Sequence, residues 1–241
     1  MKFGRISPAK FEKKSSIIAD QIVEMVRSGK VAVGAKLPSE RVIAGQMGVS
    51  RPSVREAICA LQIAGIVQSQ PGDGNYVCID VVNEDLKIRA MGILEETDSP
   101  LEILQARKAA EVGVVRLAIE AATDADILYL KKTWNSIYEL VLKDGFEPYL
   151  EHGRDFHAAI ANVTKNRVIE RIMSELLDAT SQPLWIKMRR EFIDEDPNRA
   201  WKLVELHNGL LKAITDRDCT KATLLLEEHF DMLLKEMYDR E

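Results

Sequence analysis

Cysteine is scarce in this chain: Cys59, Cys78 and Cys219 are the only three in 241 residues, far apart and with no CxxC pair. That argues against a disulfide framework or a thiolate metal site and suits a reducing compartment. Long apolar runs are missing as well. No uncharged stretch approaches the length that crosses a bilayer, and the N-terminal MKFGRISPAKFEKK carries positive charge without an apolar core. Secretion and membrane insertion are therefore not expected, and the cytoplasm is. Internal repeats and low-complexity tracts are absent too, while 46% hydrophobic and 29% charged residues leave ample material for folded cores. The length suggests two domains. From residue 99 onward there is no alternating strand pattern, which leaves helices to build the second half.

What charge there is falls unevenly. Residues 1–79 hold 11 Lys and Arg against 6 Asp and Glu, a net +5 in a chain of net −5, which leaves −10 for the remainder. A basic segment ahead of an acidic one puts phosphate attraction in the first third.

The stretch from Lys36 to Leu61, KLPSERVIAGQMGVSRPSVREAICAL, reads as two short helices joined by a tight turn. Ser39 can cap the first, with Val42, Ile43 and Met47 expected inward, and Gly48 ends it. Ser50 caps the second. Pro52 falls in its first turn, where a missing N–H costs nothing, and Val54, Ala57, Ile58 and Leu61 repeat at helical spacing. Arg51 and Arg55 share the other edge with Ser53. A helix held at an angle and presenting arginines from its first turns has the form that enters a DNA major groove, where an arginine fork can bond guanine O6 and N7 together. Spacing alone leaves a helical hairpin with solvated arginines equally open. Two strand-like runs, residues 65–70 and 75–79, then flank Pro71-Gly72-Asp73-Gly74, a strong turn signal. A hairpin directly after such a helix is a wing, and its tip, bare at Gly72 and Gly74, can approach a phosphate backbone closely.

Ahead of this motif, residues 1 to about 14 read as a loose arm. A helix from Ser15 or Ser16 to Gly29 follows, with Ile18, Ile22, Met25 and Val26 on one face, and Val31 to Lys36 can add a short strand beside the wing. Residues 80–98 read as a linker containing a short helix. Ser99-Pro100-Leu101-Glu102 then combines a capping serine, a proline at the first helical position and a glutamate three residues after the cap. Helices are expected at about 99–122, 124–143, 147–163, 166–190, 197–216 and 219–239, with an interruption at Pro183. The expected fold is mainly α: a DNA-binding unit at 1–79, a linker at 80–98, and an antiparallel all-helical bundle at 99–241.

Three of the four histidines project from inward faces of three different expected helices. His207 stands among Leu203, Val204, Leu210, Leu211 and Ile214, His229 among Leu225, Leu226, Met232 and Leu233, and His157 beside Ile160 and Ala161, while His152 points elsewhere. A single buried histidine is usually a hydrogen-bonded core residue. Three on converging helices open a second possibility, a shared zinc or nickel ion, and spacing leaves both open. Asp155 and Glu111 are the nearest carboxylates, and Arg107, four residues before Glu111, can form an ion pair with it. Lys187, Arg189 and Arg190 read as a solvated face, and Trp134, Trp185 and Trp201 as packing residues. A zinc hydrolase would need a general base positioned beside a metal-bound water. No such motif is evident, so the chain is not expected to be an enzyme.

LPSER, then GVSRPSVREA, then the hairpin with its GxG tip resemble the winged helix-turn-helix of the GntR family of bacterial transcription regulators. The resemblance implies DNA contacts from Arg41, Ser50, Arg51, Ser53, Arg55 and Gly72. ILQARKAAE, then DFHAAIA with Asn166 nine residues after the histidine, then His207 and His229 resemble the FCD domain, the helical effector-binding domain of the FadR-type branch. This second resemblance implies a metal held by His157, His207 and His229 together with an aspartate four residues before the first, and an effector carboxylate met by Arg107. The aspartate position is Gly153 here, and Asp155 is turned roughly 200° away along the helix. The resemblance as a whole implies a homodimeric regulator that binds a double-stranded DNA operator and answers to a small organic acid. Gly153 keeps open a metal-free regulator sensing an acyl-CoA or other bulky ligand, and a zinc hydrolase is the remote alternative.

Overall fold

The structure is a computed structural model that describes residues 13–70, 72–78 and 84–238. The N-terminal arm through residue 12, Pro71 of the expected turn, and residues 79–83 lie outside the described residues. The chain divides into two compact units between Ser99 and Pro100.

In the first unit, α1 (Lys14–Arg27) buries Ile18, Ala19, Ile22, Val23 and Val26, a stripe at helical period. The helix α2 (Glu40–Met47) starts where the Ser39 hydroxyl accepts the Val42 N–H at 3.4 Å, and it stops at Gly48, whose φ of 69° suits a residue without a side chain. Val42 is exposed rather than inward, because so short a helix turns only Ile43, Ala44 and Met47 to the core. Ser50 caps α3 (Arg51–Ile63), with Pro52 in its first turn. The strands β1 (Val67–Gln70) and β2 (Gly74–Val77) pair antiparallel, with Val67 opposite Val77 and Gln70 opposite Gly74. Gly34 N–H donates to Val77 O and Leu37 N–H to Asn75 O, each at 2.8 Å, so the segment before α2 borders β2 as anticipated, reduced to a bridge at Lys36.

The next helix, α4 (Glu84–Glu96), packs on α1 and α3 through the buried Ala90 and Leu94. Lys13 Nζ donates to Leu94 O at 2.9 Å and to Thr97 O at 2.6 Å, satisfying carbonyls that the helix end leaves open. Ser99 Oγ donates to the buried Glu56 Oε1 at 2.5 Å. The described part of the segment expected as a linker is therefore built into the first unit, because α4 has an apolar face to bury.

The second unit comprises α5 (Pro100–Ala121), α6 (Asp124–Asp144), α7 (Glu147–Val163), α8 (Arg167–Asp178), α9 (Pro183–Glu195), α10 (Pro197–Thr215) and α11 (Cys219–Tyr238). Its starts are written in the sequence: Thr123 and Asp126 close a capping box, Asn166 accepts the Val168 and Ile169 N–H groups, and Asp196 accepts from Asn198. The single helix expected at 166–190 is two, separated by a 3₁₀ turn at Ala179–Ser181. Pro183 has no N–H to continue the ladder and takes the first turn of α9 instead. Helix α5 packs on α7 and α11, α6 on α7 and α10, and α10 on α11. Trp134, Tyr149, Phe156, Phe192 and Phe230 are fully enclosed among them. Among the described residues no helix is long and apolar enough to cross a membrane.

Candidate functional site

On the first unit, Arg41 and Ser50 are exposed, while Arg51, Ser53 and Arg55 are half-buried along α3. The Ser50 and Ser53 hydroxyls share a hydrogen bond at 2.8 Å, which fixes the first turn of the helix. Gly72 turns the wing tip at a φ of 75°. Behind it, Asp73 accepts from both Lys36 Nζ and the Tyr76 hydroxyl, and a Cβ on Gly74 would come within 2.8 Å of the Lys36 side chain. Arg55 departs from expectation. Its Nε donates to Glu40 Oε1 at 3.1 Å and its Nη2 lies 2.9 Å from Oε2, so the fork that was to be offered to guanine is closed on a carboxylate from α2. Arg55 is thus held in place on α3 by Glu40. Sequence reading missed Glu40, and nothing in its spacing from Arg55 pointed to the pair.

On the second unit, His157 of α7, His207 of α10 and His229 of α11 converge, each offering a ring nitrogen within 4.8 Å of the other two. All three are buried, and their ring centroids are 4.9, 4.7 and 5.3 Å apart. Helix period brings each inward; the second-unit packing brings the three faces together. Trp134 stacks on His207 at 4.9 Å, which explains one of the tryptophans read as packing residues. His152 is exposed and pairs with the equally exposed Asp155 at 3.2 Å, so neither reaches the cluster.

The partners of these rings decide their protonation. His157 Nδ1 lies 2.5 Å from Glu111 Oε2. Arg107 Nε also donates to Glu111, at 2.7 Å to Oε1. Burial pushes the Glu111 carboxyl upward, but the Arg107 charge and then His157 outweigh it and hold the group at about 2, so it is ionised and accepts the His157 N–H. His207 Nδ1 lies 2.8 Å from Leu203 O, a group that can only accept, and 3.2 Å from the Tyr149 hydroxyl. Each Nδ1 therefore carries the proton, and each Nε2 presents a lone pair. Those two Nε2 atoms face one another at 2.9 Å. Burial, the first cause, pushes His157 below the usual histidine value and His207 and His229 well below it, so a bridging proton is disfavoured. Two lone pairs at that separation are suited to a shared cation, and neutral imidazole is the ligand form for zinc or nickel. The three-histidine donor set fits such an ion; His229 Nδ1, buried and without a hydrogen-bond partner, adds a third donor.

Two arginines border this cluster. Arg107 is buried, with Nη2 lacking any partner and its guanidinium 5.3 Å from the centre of the Phe230 ring. It is thus both the ion-pair member and the candidate ligand group that the sequence left open. Arg189 was read as part of a solvated run, and that is corrected. It is half-buried with its guanidinium 4.9 Å from the centre of the Tyr149 ring. A Cβ at Gly153 would lie 3.3 Å from Arg189 Nη2, so this arginine borders the space where the aspartate of the resembled family would begin. A signal existed: Arg189 is four residues after Trp185 and three before Phe192, both buried, whereas Arg190 is exposed.

Comparison with known proteins joins the two units. Residues 14–77 match the family described as bacterial regulatory proteins, gntR family, and residues 102–232 match the FCD domain. The Uxu operon regulator of Haemophilus influenzae is 28% identical, over 92% of this chain and 81% of its own length. The Exu regulon transcriptional regulator of Escherichia coli is 31% identical, over 92% of this chain and 85% of its own. A solved GntR structure from Streptococcus agalactiae is 21% identical with a TM-score of 0.48, covering 92% of this chain and 99% of that one. With a gntR head, an FCD domain across more than half its length and relatives that are regulators, this chain belongs to the GntR family of bacterial transcription regulators and is not an enzyme.

Proposed function

We propose that this regulator binds a DNA operator as a homodimer in the cytoplasm and changes its DNA affinity when a small organic acid binds at the histidine cluster of the second unit. His157, His207 and His229 hold a divalent ion there, zinc or nickel in kind. Once bound, the ion supplies positive charge and open coordination positions for an acidic ligand. Arg107 orients the ligand, its unpartnered Nη2 directed to a carboxylate while its Nε keeps Glu111 in place. Glu111 and Leu203 O in turn fix which nitrogen each imidazole offers.

One observation carries the metal reading: two imidazole lone pairs facing at 2.9 Å with both opposite nitrogens committed to acceptors. The DNA reading rests on the winged head, and the dimer on the match between two-fold proteins and palindromic operators. Control follows from linkage, since an acid that prefers one arrangement of the protein must shift DNA affinity by its differential binding energy. Elemental analysis of the purified full-length protein and of His207→Ala tests the centre. Near-equimolar metal in the parent and its loss in the variant are expected; equal metal in both would remove His207 from the ligand set.

A further inference from the structure

Gly153 lies one helical turn before His157 on α7, on the face turned to the cluster, and has no side chain to fill the space beside it. Arg189 comes from α9 into that space, 3.3 Å from where a Cβ would be. It rests on Tyr149, whose hydroxyl is 3.2 Å from His207 Nδ1. Among the described residues no carboxylate pairs with Arg189. Arg107 flanks the same imidazoles on another side, against Phe230, whose ring is 5.1 Å from His229. Its Nη2 is buried and unpartnered. The charge accounting is simple: two guanidinium groups, one carboxylate in Glu111 and three neutral rings leave a net positive charge before any ion or ligand arrives. An aspartate at position 153 would cancel that charge, and here the position holds glycine with an arginine beside it.

We infer that Arg189, admitted by Gly153, is a second anion anchor, and that the acid this site takes is a dicarboxylate, one carboxyl meeting Arg107 and the other Arg189. This rests on the reading of the cluster as the effector site. Arginine suits both ends because its planar fork matches a carboxylate, and it stays charged even where partial burial lowers its pKa. Specificity follows from the cost of leaving a guanidinium in a partly dry site without an anion, which a monocarboxylate would do to Arg189.

The test is calorimetric titration of the full-length protein, as purified, with malonate, succinate, glutarate and adipate, each beside its own monoamide. The monoamide keeps length and shape and removes one charge. At least one diacid is expected to bind about tenfold or more tighter than its monoamide. Arg189→Gln is expected to bind that diacid and its monoamide about equally, and Arg189→Lys to keep part of the preference. Arg107→Gln is expected to weaken both. If the monoamide binds as tightly as its diacid, or if Arg189→Gln keeps the preference, the second anchor is overturned and the effector site stands. If no diacid or monoamide binds, the inference falls together with the carboxylate reading beneath it.

Discussion

A buried histidine that stays neutral is a liability in acid. His157 is held below the ordinary histidine value of about 6.5 and His207 and His229 well below it, chiefly by burial, while in the unfolded chain all three titrate near 6.5. The unfolded state therefore takes up protons first as pH falls, so stability is full above about 6.5 and erodes below it. Glu111 adds to this lower down: held at about 2 in the fold against 4.5, it contributes stability above 4.5 that is lost as pH falls toward 2. For chelator-treated protein, thermal melts across this range should show a midpoint falling below pH 6.5, with a shallower fall in His207→Asn. A midpoint indifferent to pH between 7 and 5 would mean the rings are not held neutral, and the lone-pair reading of the cluster would go with it.

At the scale of the element, the two recognition helices are coupled by one ion pair. Glu40 opens α2 and Arg55 lies in the second turn of α3, and their side chains are only 18% and 15% exposed. Its contribution to stability is modest, on the order of 1 kcal/mol, so its importance lies in where it holds the guanidinium. Arg55→Ala should cost about 1–3 kcal/mol of discrimination between operator and scrambled duplex. Glu40→Gln should lose part of the same discrimination while raising affinity for any duplex, because a negative charge leaves the DNA-facing side. The double variant should be no worse than Arg55→Ala in competition binding. Losses that simply add would separate the two residues and return Glu40 to a structural role.

Elements were legible in the sequence where a single residue both starts the helix and explains why it starts. Ser39, Ser50, Thr123, Asn166 and Asp196 are of this kind, and so is Gly48 as a stop. The convergence of three histidines was legible as periodicity, with the partner helices left unknown. What periodicity hides is anything set by the angle between helices. Arg189 lies at the margin of an apolar stripe among other cations, and only the packing of α9 on α7 tells it apart from Arg190. The Glu40 to Arg55 pair joins two helices across a corner, and no spacing rule reaches across one. In the 166–190 stretch, Pro183 was noticed, but a proline alone does not say whether a helix bends or stops.

Across the whole molecule, the net +5 is carried by residues 1–79, the winged part of the first unit, and the net −10 by the rest of the chain, so phosphate attraction is concentrated on the head. The boundary between them is later than the wing. Ala90 and Leu94 are 0% and 2% exposed, and Lys13 and Ser99 fasten the C-terminal end of the helix that carries them. A head expressed through residue 79 should therefore be less stable than one expressed through residue 99, and Leu94→Ala in the longer fragment should cost about 2–5 kcal/mol. Chemical denaturation would check both, and equal stability for the two fragments would contradict the packing of α4. For anyone borrowing this head to steer another protein to DNA, the safe cut lies one helix past the hairpin, since a fusion made earlier would present a raw apolar seam where its new partner begins.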